Sequence, residues 1–340
     1  MAERKPVNKW IVALSVSFGS LMATIDSSIV NVALPHIRGS VGATLTEITA
    51  ISTGYIVATV LVMPLTGFLG AFFGQKRVYM VSLLLFIVGS AMCGTANSLV
   101  QLVLYRVIQG FGAASLQPTQ QAILRQTFPP AEQGMAMAMF AMVIMGGPAL
   151  GPPLGGWLTD TYSWPWIFYV NLPIGAMGLF MVWRFVHEPE DVKRENTIRA
   201  KKMRTNMDWA GLALMAVAIG TMQYVFEEGP SHDWFDSKII LGALFVCLSA
   251  TALFVVNELT VPFPVVNLRL FADKTFASGT LIGAVMFAML MGSMFLLPVF
   301  LQELLHYDAT SSGIAMMPRT IVMAMAMPIV GRLYAKVPPE

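Results

Sequence analysis

The chain has 340 residues, 56% of them hydrophobic and 12% charged, with a net charge of +2. Soluble domains carry about 25% charged residues, so this composition, with a mean hydropathy of +0.67, excludes a soluble globular class. Apolar runs of about 18 or more residues recur along the length, which makes this an all-α polytopic membrane protein.

In chain order, ten spans are predicted: 10–34, 48–70, 78–96, 99–123, 134–158, 166–183, 209–226, 239–256, 276–301 and 312–334. The basic start and following apolar run superficially resemble a signal peptide. The run is too long, carries Asp26 and lacks a small-residue cleavage site, so it reads as a retained first span. Lys and Arg fix the orientation. With the N-terminus cytoplasmic, 17 of the 21 basic residues fall on the cytoplasmic side, Arg38 and Lys238 on the other, and Arg106 and Arg319 within spans. The predicted domains are an N-terminal six-helix bundle (1–187), a polar cytoplasmic linker (188–208), two additional helices (209–256) and the first two helices of a second bundle (257–340).

Asp26 is the acid deepest in any apolar run. A carboxylate near the bilayer centre costs roughly 2.5–3.5 kcal/mol on insertion scales, so its presence calls for a purpose. Three are open to it, namely pairing with a cation, binding a charged ligand and carrying a proton. Arg106 in the fourth span lies ~12 Å below its outer helix end and Asp26 ~13 Å below Pro35, at ~1.5 Å per residue, so the two charges share a depth. One reading is a permanent ion pair that fixes helix packing. The other is an Arg that tunes a carboxylate exchanging a proton, since desolvation raises and a nearby cation lowers its proton affinity.

Further polar groups in spans are Asn31, Tyr55, Gln109, Gln117, Gln120 and Arg319, each a candidate for a substrate cavity or an interhelical hydrogen bond. The fifth span carries Gly147, Pro148, Gly151, Pro152, Gly155 and Gly156, which predict a bent helix with a smooth face. Cys93 and Cys247 lie in apolar runs as free thiols, and the 25 Met residues suit either a deformable substrate surface or packing. Residues 63–71 and 327–335 read alike (Met-Pro-Leu/Ile-x-Gly-x-Leu-x-Ala) at matching points of the second and tenth spans, as in transporters built from two repeated bundles. On that repeat, the chain is expected to be an N-terminal portion lacking about four helices. There is no Walker-type motif, no nucleophile–base arrangement and no metal-ligand spacing among the 4 His, so neither an ATP-driven pump, an enzyme nor a cofactor or metal site is expected.

Together these segments resemble the major facilitator superfamily, specifically its fourteen-span drug:proton antiporters of the EmrB/QacA type. The resemblance rests on Ile25-Asp26-Ser27-Ser28-Ile29-Val30-Asn31 in the first span, the Arg106 segment, the Gly147–Gly156 run, Trp166-Ile167-Phe168-Tyr169-Val170-Asn171-Leu172-Pro173, and Asp233-Trp234-Phe235-Asp236-Ser237. It implies the major facilitator fold, Asp26 as proton carrier with Arg106 as partner, and a fifth-helix motif associated with export. The cytoplasmic-loop motif is present through Gly67, Gly74, Lys76 and Arg77, but Ala71 stands where the family pattern has an acid that latches the cytoplasmic face. The implied activity is export of hydrophobic, often cationic compounds across a bacterial inner membrane in exchange for protons, with a periplasmic adaptor and an outer-membrane channel as partners. The alternatives are export of a metabolite, siderophore or lipid on the same scaffold, and a truncated, non-transporting remnant.

Overall fold

The structure is a computed structural model that describes residues 8–187, 208–262 and 264–307, with single positions between 311 and 329. The linker 188–207, Arg319 and nearly all of the 327–335 repeat lie outside the described residues. The described elements are helical: α1 (Lys9–Val41), α2 (Leu45–Val62), α3 (Leu65–Phe73), α4 (Gln75–Gly94), α5 (Leu99–Ala114), α6 (Leu116–Thr127), α7 (Gln133–Thr161), α8 (Trp166–Tyr169), α9 (Asn171–Phe185), α10 (Trp209–Glu228), α11 (Lys238–Thr260) and α12 (Lys274–Val299). Among the described residues, seven stretches are long and apolar enough to cross a membrane, or eight with the bent pair α2–α3 counted as one.

Three predicted spans differ in shape. The second is not one straight helix: α2 and α3 meet at 57° around Met63 and Pro64, where the proline ring removes an amide donor and clashes with the preceding turn. The sixth is divided into α8 and α9 at Val170, where Pro173 has no N–H to offer the Tyr169 carbonyl. The first span does not stop at Pro35. α1 continues through it to Val41 and ends where Gly42 adopts φ +67° and turns its N–H back to Arg38, so Asp26 lies deeper within its helix than a stop at Pro35 would place it. In the opposite sense, α7 runs without a break through Pro148, Pro152 and Pro153. Helix α12 overlaps the predicted ninth span and finishes in a π turn over Phe300–Leu304, but it is not among the described stretches that meet the length and hydropathy of a span.

The centre of the bundle is α1, which packs on α7, α9, α6 and α2. Its contact with α7 follows from the glycines spaced four apart. A Cβ on Gly147 would enter the Thr24 side chain, one on Gly151 that of Ser28, and one on Gly155 that of Ile29. Residues at i, i+4 and i+8 share a helix face, so the motif is a bare stripe on which α1 lies directly. Thr24 and Ser28 add little polarity to this seam, because their hydroxyls are bonded back to carbonyls of their own helix. Outward-facing positions such as Val81, Leu104, Phe180 and Phe245 are large, apolar and exposed, as a lipid-facing surface requires.

Two buried apolar clusters divide the bundle. One gathers Val16, Met22, Tyr79, Leu83, Phe86 and Leu116; the other gathers Ile29, Ile51, Cys93, Leu102, Ile167 and Phe168. Along α1, α4 and α5 the change from one cluster to the other falls near Asp26, Ser90 and Arg106 respectively. Helices α10 and α11 pack against each other and reach the bundle through α2, where the Thr49 hydroxyl donates to Glu227 at 2.8 Å.

The α7 stripe makes a paired prediction. Gly151→Val is expected to cost about 1–3 kcal/mol in unfolding measurements on the detergent-purified protein, through overlap with Ser28. Gly146→Ala, where a Cβ meets open space, is expected to leave stability unchanged.

Candidate functional site

Close helix approach brings the site together. A Cβ on Gly89 of α4 would fall on the Gln109 backbone of α5, and one on Gly110 would strike the Tyr55 carbonyl of α2. With no side chains at those two points, α5 sits between α4 and α2 and delivers Arg106 and Gln109, one turn apart on one face, to the level of Asp26.

Asp26 is fully buried and Arg106 is 1% exposed. Arg106 Nη1 donates to Asp26 Oδ2 at 2.5 Å and to Gln109 Oε1 at 2.6 Å. The second carboxylate oxygen, Oδ1, accepts from Gln109 Nε2 at 2.9 Å and from Asn171 Nδ2 at 2.8 Å. Both amides also donate to the Ser90 hydroxyl, at 3.2 and 2.9 Å, and Ser90 donates in turn to the Phe168 carbonyl at 2.9 Å. The guanidinium lies over the Tyr55 ring at 4.1 Å, a cation–π contact that holds its plane while Nε stays without a hydrogen-bond partner. The Cys93 thiol completes the wall, 3.8 Å from Gln109 Oε1.

The chemistry of this set is specific. Every donor aimed at Asp26 stabilises its ionised form. The two oxygens are held by side chains from α5 and α9, so relative movement of α1, α5 and α9 changes how well the negative charge is supported. Among the described residues no cluster of three or more His, Cys, Asp or Glu could hold a metal ion.

The remaining sequence candidates divide. Tyr55 and Gln109, predicted for a cavity wall, belong to the Asp26 network. Asn31 is exposed on α1 and accepts from Ser52 at 3.4 Å. Gln117 is half-buried on α6, and Gln120, buried a turn further on, donates to Ser17 at 3.2 Å. Gly147, Gly151 and Gly155 form the α1–α7 seam, and Gly156 accepts a bond from Thr159. Pro148 and Pro152 are half-buried within α7. In the loop motif, Gly74 takes φ +85° between α3 and α4, a conformation open to glycine. Lys76 donates to the Trp183 carbonyl at the end of α9, at 2.8 Å, while Arg77 is exposed and a Cβ on Gly67 would meet nothing. Two residues of the network, Ser90 and Asn171, are not among the sequence candidates. Asn171 is legible as a polar residue within the sixth apolar run, whereas a lone Ser in a span carries no such signal.

The sequence from residue 16 to 340 matches the family model of the Major Facilitator Superfamily. The chain belongs to the major facilitator superfamily. It is 36% identical over 327 residues to the multidrug export protein EmrB of Haemophilus influenzae, covering 96% of this chain and 62% of that protein. It is 36% identical over 326 residues to the fatty acid resistance protein FarB of Neisseria gonorrhoeae, with 96% and 62% coverage. With EmrB of Escherichia coli K12 it shares 35% identity over 342 residues, 99% of this chain and 64% of that one. The chain thus spans somewhat under two thirds of the length of these relatives. A partially occluded, inward-open structure of the xylose transporter XylE from E. coli matches 96% of this chain and 84% of that one, with a TM-score of 0.52 at 13% identity, which supports the fold. The chain is therefore a multi-pass membrane protein of the major facilitator superfamily, similar in sequence to proteins named EmrB.

Removing one member of the central pair leaves a buried charge uncompensated, which costs about 3–5 kcal/mol. Arg106→Ala is expected to fall in that range in unfolding measurements, and the Asp26→Asn, Arg106→Ala double variant to lose far less than the sum of the singles. Additive losses would contradict a direct energetic coupling.

Proposed function

We propose that this chain is the proton-coupled portion of an exporter that moves hydrophobic, often cationic compounds out of the cytoplasm by alternating access. Its setting would be a bacterial inner membrane, with the N-terminus cytoplasmic. The observation that carries the proposal is the fully buried Asp26 carboxylate, whose donors come from helices other than its own. In this arrangement Arg106, Gln109 and Asn171 all aim donors at the carboxylate. A rocking motion that draws α5 or α9 away from α1 would strip donors from the carboxylate, raise its proton affinity and let it take a proton from the outer side. Return to the present arrangement would expel that proton toward the cytoplasm. Each proton moving inward supplies ~2.3 kcal/mol per 100 mV of membrane potential. The bare α7 stripe against α1 is suited to such motion, since it offers a surface without interlocking side chains.

Relatives named as multidrug export proteins support a broad, hydrophobic substrate range. The similarity to a fatty acid resistance protein favours a second reading in which the cargo is a lipid-like amphiphile. Under either reading, a periplasmic adaptor and an outer-membrane channel would be the partners that carry cargo onward.

The test is proton release on adding a hydrophobic cation, or a long-chain fatty acid, to proteoliposomes containing this chain. Release is expected from the unmodified protein and not from Asp26→Asn. Release that persists in Asp26→Asn would remove Asp26 as carrier.

A further inference from the structure

A second buried acid lies far along the chain from the Asp26 network, where α10 begins and α11 ends. Asp208 caps α10, accepting from the Gly211 N–H at 2.7 Å through Oδ1, while its Oδ2 accepts from Asn257 Nδ2 at 2.5 Å. Glu258 of α11 is 0% exposed. One of its oxygens, Oε2, accepts from the Val266 N–H at 2.9 Å in the connection toward α12. The other, Oε1, is buried with no hydrogen-bond partner. The position of this orphan oxygen is defined by Gly211: a Cβ there would collide with both Asp208 Oδ2 and Glu258 Oε1, so both carboxylate oxygens border the space left by that bare backbone.

Two ionised carboxylates do not share such a space without a positive group between them. Among the described residues, Asp208 is the charged side chain facing Glu258. Arg269, from the α11–α12 connection, spends its guanidinium on the Leu259 carbonyl at 2.8 Å, and Asp273 is occupied with capping α12. We propose that Glu258 and Asp208 form a proton-binding site, in which Glu258 Oε1–H donates to Asp208 Oδ2. The shared proton latches the start of α10 to the end of α11, and through Val266 to the chain leading to α12. It is separate from transport coupling at Asp26 and does not depend on that reading.

The sign of its effect on stability follows from linkage. The folded chain holds a proton that an unfolded Glu releases above about pH 4.3, so the folded state loses stability as pH rises. The experiment is thermal unfolding of the full chain in nanodiscs from about pH 6 to about pH 9, with Glu258→Gln and Asp208→Asn alongside. The amide introduced by Glu258→Gln keeps a donor toward Asp208 without a titrating proton. The amide introduced by Asp208→Asn offers a donor to an ionised Glu258 while retaining an oxygen for the Gly211 N–H.

A melting temperature that falls by several degrees with rising pH in the unmodified chain, and stays level in either folded variant, is the expected result. An unmodified chain whose melting temperature does not fall, or variants that keep its full slope, would overturn the proposal. So would stabilisation by sodium, magnesium or calcium ions at fixed pH that Glu258→Gln abolishes, since that marks a metal-ion site instead.

Discussion

A carboxylate inside a hydrocarbon layer keeps its charge only while protein donors replace the water it has lost. Asp26 meets that condition through Arg106, Gln109 and Asn171, and much of the bundle's geometry follows from holding those donors in place. Arg106 needs a plane to rest on, which Tyr55 supplies from α2. Gln109 and Asn171 each have a second partner in Ser90, so the amides are oriented by α4 as well as by the acid they serve. The donors thus brace one another. A shift of one helix therefore disturbs several bonds together.

Such a network demands short distances between helix axes, and the sequence provides them with glycine. Gly89 and Gly110 admit neighbouring backbones around α5, while Gly147, Gly151 and Gly155 do the same for α7 on α1. These two uses have opposite mechanical consequences. Around α5 the close approach ends in polar side chains that lock together. Along α7 it ends in a smooth seam, with the facing hydroxyls turned inward onto their own helix. Membrane helices lack a hydrophobic force driving them together, so packing and hydrogen bonds carry the association. Here the first holds α7 and the second holds α5.

Much of this is legible in the residues. Asp26 and Arg106 stand out as charges in apolar runs, and helix rise alone puts them at one level. The α7 glycines read as a stripe because period-four spacing survives folding unchanged. Rotation about each helix axis is not legible in the same way. Asn31 and Asn171 are alike in type, yet one is exposed beside Ser52 and the other bonds the carboxylate. Depth is additive along a helix and easily counted. Azimuth depends on how neighbouring helices cross, which is decided by distant contacts such as Gly89 on Gln109. The prolines mislead for a related reason: Pro64 accompanies a 57° bend, whereas Pro35 and three prolines of α7 lie within continuous helices. Loss of one amide permits a bend, and the surrounding packing decides whether it occurs.

Asp26 and Glu258, two of the buried acids among the described residues, sit in contrasting environments. Both are excluded from solvent. Asp26 has donors on each oxygen, one of them a guanidinium. Glu258 has a backbone donor on one oxygen, no hydrogen-bond partner on the other, and a second carboxylate as its neighbour. The donors of Asp26 come from helices other than its own. Glu258 instead takes its donor from Val266, in the connection that follows its own helix.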